Sequence, residues 1–108
     1  MAKIEFQEFS SFGNWINNKD IKSSTNNIIE VVSPYYDKII ASIPDSTSKD
    51  LQNAVDAAED SFPLWSKTNI RDRAQIMLRF KSIIENDIDN LATIIALDNG
   101  KTIEDAIG

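Results

Sequence analysis

TNIRDRAQIMLRFKSIIENDIDNLATIIALDNGKT, residues 68–102, holds the densest helical signal in the chain. Its apolar residues recur at helical spacing. Ile70, Ala74, Met77, Leu78 and Ile84 lie along one side of a first helix, and Ile76, Phe80 and Ile83 widen that face beyond a narrow stripe. Ile88, Leu91, Ala92 and Ile95 carry an i, i+3, i+4, i+7 pattern through a second helix. Asn99-Gly100 ends it, because both residues tolerate the left-handed conformation that closes a helix. An apolar arc this broad needs cover on more than one flank, so the rest of the chain is expected to pack onto it.

Immediately upstream, Thr47 is placed to cap a helix that starts at about Ser48, with Asp50 reaching back from the third helical position. Leu51, Ala54, Val55, Ala58 and Phe62 hold one face, and Gln52, Asn53, Asp56, Glu59 and Asp60 the other. Full burial of Leu51, Val55 and Phe62 would contribute roughly 5–9 kcal/mol gross, so packing is expected to make this helix. Pro63 is expected to end it and Trp65 to staple the turn to the core. Asn69 with Asp72 repeats the capping arrangement for the long helix. Thr102 with Asp105 opens another, with barely one turn before Gly108, which reads as a fold cut short.

The amino-terminal half has β character. Residues 1–12, with Phe6, Phe9 and Phe12 spaced by three, read as an adhesive arm, and residues 13–108 as the domain segment. Asn17-Asn18 suits a tight hairpin turn between short strands. Residues 22–27 form a polar connector. Ile28-Ile29-Glu30-Val31-Val32 has the β-branched content of a strand, and Ser33-Pro34 turns the chain so that Ile39–Ile43 run back beside it. The edges near Val31 and Ile40 are expected to be open.

Composition narrows the chemistry. The 108 residues are 42% hydrophobic and 26% charged, as in a globular chain, and no apolar run approaches the roughly 20 residues that span a bilayer. The start shows no targeting segment, which makes the cytoplasm the expected compartment. The chain has no cysteine and no histidine, hence no thiolate nucleophile, no disulfide and none of the commonest general bases or zinc ligands. A net charge of -6 works against nucleic acid or an anionic membrane as partner.

The order of these signals resembles the amino-terminal end of the aldehyde dehydrogenase superfamily, and within it the methylmalonate-semialdehyde dehydrogenase branch. Asn14-Trp15-Ile16-Asn17 resembles the family's N-[FY]-I-N-G, and Val31-Val32-Ser33-Pro34 its V-V-N-P. Phe62-Pro63-Leu64-Trp65-Ser66-Lys67 resembles the F-P-x-W-S-K exit of its first helix. Ile70-Arg71-Asp72-Arg73-Ala74 and Leu97-Asp98-Asn99-Gly100-Lys101-Thr102 complete the set. Asn18 stands where the family's hairpin has glycine, and Asp20 where it has tryptophan. The resemblance implies an α/β fold fragment of short antiparallel hairpins followed by two to three amphipathic helices. It also implies an NAD-dependent aldehyde oxidation through a cysteine thioester, with coenzyme A as acyl acceptor. The implied partners are the rest of the dehydrogenase chain, its coenzyme-binding domain above all, and further copies in a homo-oligomer.

None of that machinery falls within these residues, so no catalytic, cofactor-binding or metal-binding residue is assigned. The clusters that could suggest otherwise have plainer readings. Asn99-Gly100-Lys101 reads as a helix stop before it reads as an anion site. Glu85, Asp87 and Asp89 fall on different faces around a helix break, where capping is the simpler role. Arg71, Arg73, Arg79 and Lys81 read as a solvated helix face, and Trp15 and Trp65 as core or interface anchors. The rival to an enzyme segment is a self-standing helical interaction module. Dehydrogenase sequence downstream of Gly108 would separate the two. The wide apolar arc further predicts that the isolated chain is loosely packed or self-associates.

Overall fold

The first hairpin is built on two asparagines. Asn17 and Asn18, at φ 50° and 60°, make the turn between β1 (Asn14–Ile16) and β2 (Lys19–Ile21), paired antiparallel with Ile16 opposite Lys19. Asp20 accepts a hydrogen bond from the Gly13 N–H at 3.0 Å. A Cβ on Gly13 would stand 2.5 Å from the Ile21 carbonyl oxygen, so glycine is required there by close approach. The structure, a computed structural model, describes residues 4–9 and 11–108. Met1, Ala2, Lys3 and Ser10, which belong to the arm expected over 1–12, lie outside the described residues.

The second hairpin pairs β3 (Ile28–Ser33) with β4 (Lys38–Pro44) around Pro34–Asp37, closed by the Asp37 N–H donating to the Ser33 carbonyl at 2.8 Å. The register skips Ile40, and this bulged residue is buried. The free edge of β4 is partly taken: Phe9 and Phe12 donate their backbone N–H groups to the Ile40 and Ser42 carbonyls.

Four helices complete the chain, α1 (Ser48–Lys67), α2 (Ile70–Asn86), α3 (Ile88–Asn99) and α4 (Ile103–Ile107). The caps fall where side chains can close them. Thr47 and Asp50 form a complete capping box, Asn69 accepts from the Asp72 N–H, and Thr102 accepts from the Asp105 N–H. Gly100 ends α3 at φ 80°, its N–H bonded to the Ala96 carbonyl. Asp87, at the break between α2 and α3, makes no capping bond to backbone; its carboxylate meets only the Asn90 amide. Pro63 does not end α1. Proline removes its own N–H bond and crowds the carbonyl one turn back, yet the helix continues one more turn to Thr68, whose N–H and hydroxyl both donate to the Leu64 carbonyl. The Phe62–Lys67 stretch therefore forms the last turns of α1 and its exit, with Pro63 inside the helix rather than after it.

The core is small and sits between α3, α4 and the second hairpin. Ala96 and Leu97 are fully buried against Ile4, with Phe9, Tyr36 and Ile103 around them. Ser33, also buried, donates its hydroxyl to the Leu97 carbonyl, and Tyr36 donates to the Ile4 carbonyl. The expectation that everything packs onto residues 68–102 holds for α3 alone. No residue of α2 is buried, and α1 and α2 make no extensive contact with each other. Leu51 and Phe62 are each 66% exposed, so the predicted burial of α1's apolar face does not occur within this chain. Trp65, 42% exposed, staples nothing to the core.

Candidate functional site

The feature that stands out on this molecule is an uncovered helical surface rather than a cleft. α1 begins at a polar latch. The Asp50 carboxylate accepts from the Ser23 hydroxyl at 2.6 Å, the Ser24 N–H at 3.0 Å and the Thr47 N–H at 2.9 Å. These bonds, the Ser23 hydroxyl foremost, hold its carboxyl well below the usual carboxylate range. The latch ties α1 to the connector after β2, and the start of the helix lies against β1. Two residues, Thr68 and Asn69, join α1 to α2, and both helices then present their apolar sides outward. Phe62, Ile70 and Ile83 are each at least 65% exposed. A single exposed leucine is ordinary; contiguous large apolar side chains along two helices mark a surface that another element covers.

The polar and aromatic groups that stood out in sequence scatter in space. Lys101 lies just past the helix stop with its N–H bonded to the Asn99 side chain at 3.0 Å. The five-residue α4 beyond it spends a first-turn donor on Thr102 and carries Glu104 and Asp105 there, which repel an anion. Glu85 pairs with Lys81, while Asp87 sits at the helix break and Asp89 in the first turn beyond it. Among the described residues no three metal-ligating side chains converge. Trp15 is 72% exposed on β1, bordering a recess of about 400 Å³ with Ile16, Leu51 and Ala54. Two features escape sequence reading: the Ser23–Asp50 latch and the Ser33–Leu97 bond. Both link residues far apart in the chain, and no local pattern signals them.

A dinucleotide needs a glycine-rich turn whose backbone N–H groups cradle phosphates. Gly13 is committed to the first hairpin and Gly100 to a helix stop, leaving Gly108 at the last position. The residues present do not fit a coenzyme phosphate site.

Residues 21–108 match the model of the aldehyde dehydrogenase family. The chain is 38% identical over 108 residues to a malonate-semialdehyde dehydrogenase of Bacillus pumilus, covering all of this chain and 22% of that one. It is 34% identical over 95 residues to an acylating, mitochondrial methylmalonate-semialdehyde dehydrogenase of Arabidopsis thaliana, covering 88% of this chain and 16% of that one. Among solved structures, an aldehyde dehydrogenase variant from Pseudomonas syringae complexed with NAD+ and octanal superposes with a TM-score of 0.82 at 28% identity, covering 94% of this chain and 20% of that one. The chain thus spans about a fifth of the length of these relatives. What it shares with them is the fold's amino-terminal portion, hairpins first and helices after, and on that match the chain belongs to the aldehyde dehydrogenase family.

Proposed function

We propose that this chain supplies the amino-terminal scaffold of an NAD-dependent dehydrogenase that oxidises malonate or methylmalonate semialdehyde to an acyl-coenzyme A, and that none of its 108 residues is catalytic. The observation that carries the reading is the end-to-end likeness to a malonate-semialdehyde dehydrogenase. Its supports are chemical. Oxidation of an aldehyde through a thioester needs a thiolate, and the chain has no cysteine. The scaffold role rests on α1 and α2, whose apolar sides await a cover that the coenzyme-binding part of such an enzyme would provide. Residues 13–108 are the domain segment in this reading and residues 1–12 an arm. NAD and coenzyme A bind elsewhere in the enzyme, which works in the cytoplasm as a homo-oligomer without nucleic acid or membrane. No helix of the described residues is long and apolar enough to cross a membrane.

The test is fragment complementation. Alone, the chain should form no NADH from either semialdehyde, with or without coenzyme A, and should give no saturable NAD binding by calorimetry. Co-expressed with the remainder of the Bacillus pumilus enzyme lacking its matched segment, it should restore NADH formation with malonate semialdehyde in the presence of coenzyme A. Turnover by the chain alone, or a remainder that stays inactive in its presence, overturns the reading.

A further inference from the structure

Asn99 is the chain's only asparagine followed by glycine, and the pair closes α3. Asparagine before glycine is labile in water, because no side chain on the glycine hinders its backbone nitrogen from approaching the asparagine side-chain carbonyl carbon. Attack forms a bond from the Gly100 nitrogen to the Asn99 Cγ. The side-chain nitrogen leaves as ammonia, carrying the proton that the Gly100 nitrogen loses. Water then opens the cyclic imide at either carbonyl, giving aspartate or isoaspartate, and is the only co-reactant.

The folded chain obstructs this attack. The Gly100 N–H donates to the Ala96 carbonyl at 2.9 Å, so the attacking nitrogen is held in the last helical hydrogen bond. Asn99 is itself the last residue of α3, and its helical backbone directs that nitrogen along the helix axis rather than toward its own side chain. The Asn99 side-chain oxygen is also occupied, accepting from the Lys101 N–H at 3.0 Å. The turn beneath these bonds is anchored. Ala96 and Leu97 are fully buried, and the Ser33 hydroxyl donates to the Leu97 carbonyl. Asn99 is nonetheless exposed, so water reaches it once the turn opens.

We propose that Asn99 is a site of spontaneous deamidation gated by the helix stop, reacting only from states in which the last turn of α3 has opened. The stop is thereby a timer. Reaction leaves a carboxylate at the carboxyl end of a helix, where the dipole opposes it, and isoaspartate adds a backbone carbon that puts Gly100 out of register with Ala96. Each event loosens the joint between α3 and the second hairpin, and refolding does not reverse it. The inference rests on the local geometry of α3 and not on the semialdehyde reading.

The chain is incubated above neutral pH, folded or in concentrated urea, and ammonia release and the aspartate and isoaspartate forms are followed by peptide mapping. In heavy-oxygen water one labelled oxygen should enter at Asn99. The folded chain should react roughly tenfold or more slowly than the unfolded one, tenfold being about 1.4 kcal/mol of opening free energy. Ser33→Ala, which removes the hydroxyl bridge to Leu97 and leaves the reacting residues in place, should speed the folded reaction without changing the rate in urea. It should accelerate amide exchange at Gly100 by the same factor, since one opening governs both. Circular dichroism establishes that the variant keeps its helices, and the wild-type comparison stands without it. Gly100→Ala separates the chemistry from stability: it weakens the stop, yet should slow the reaction in both states, because a Cβ crowds the attacking nitrogen. The deamidated chain, separable by its added negative charge, should melt below the unmodified one. Equal rates folded and unfolded, faster reaction at another asparagine, exchange and deamidation that do not rise together in Ser33→Ala, a faster Gly100→Ala, or an unchanged melting temperature would each overturn the proposal.

Discussion

Gly100 carries two constraints at once. Its φ of 80° is one that a residue with a Cβ adopts only at a cost, and a Cβ there would stand 3.3 Å from the Pro34 ring. Gly100→Ala should therefore destabilise the chain by about 1–2 kcal/mol in urea unfolding, and a stabilised variant would mean that α3 does not stop there. Asp50 makes the corresponding prediction in pH. Its carboxyl titrates lower in the folded state than the roughly 3.9 of an unfolded chain, so its contribution is complete above that value. As the pH falls below about 4 the unfolded state takes up the proton first, and stability declines. Asp50→Asn should lower the melting temperature at neutral pH and flatten its fall between pH 4 and pH 2; an unchanged slope would remove the carboxylate from the latch. Gly100 is legible in sequence because a helix stop is a local affair of backbone sterics. The Ser23 hydroxyl on Asp50 is not, because a serine in a polar connector looks the same whether or not a carboxylate comes to meet it.

Among the elements, sequence locates every strand and helix through caps, turns and periodicity, all of which act within a few residues. Thr47 with Asp50, Asn69 with Asp72 and Asn17-Asn18 each perform in the structure the role their spacing implies. Pro63 defeats such local reading for a physical reason. Proline forbids its own N–H bond but not helical φ, and the helix survives it because Thr68, five residues on, closes the last turn. Pro63→Ala should restore a donor in an exposed helix interior and raise stability by up to about 3 kcal/mol, seen as higher helical signal and a higher melting temperature. A lower melting temperature would mean that the fixed backbone of Pro63 stabilises α1 at this position. What periodicity cannot reveal is where a face finds its partner, since the same i, i+3, i+4, i+7 spacing describes Ile88–Ile95, of whose four apolar residues Ala92 is buried, and Leu51–Phe62, of which none is.

Taken whole, the chain is a slab of 47 × 37 × 16 Å with a radius of gyration of 17.4 Å, against about 13 Å for a compact domain of this length. A thickness of 16 Å leaves no second layer behind α1 and α2, whereas a stable domain closes its core between two. Amide exchange at concentrations low enough to hold the monomer should accordingly show protection concentrated in β3, β4 and α3, with α1 and α2 exchanging fast. Equal protection across all the helices would contradict this division. The bond from the Ser33 hydroxyl to the Leu97 carbonyl spans 64 positions of sequence, and the segment from Asp45 to Asp87 lies wholly inside that span. Topologically, α1 and α2 are an excursion that leaves at the end of the second hairpin and returns to dock α3 on the hairpin's turn. Closing so long a loop is an entropic burden that grows only logarithmically, so replacing residues 45–87 with a short glycine-serine bridge of sufficient reach should lighten it by on the order of 1–2 kcal/mol. The hairpin and α3 would then behave as a miniature protein in their own right, with the joint from the Ser33 hydroxyl to the Leu97 carbonyl intact.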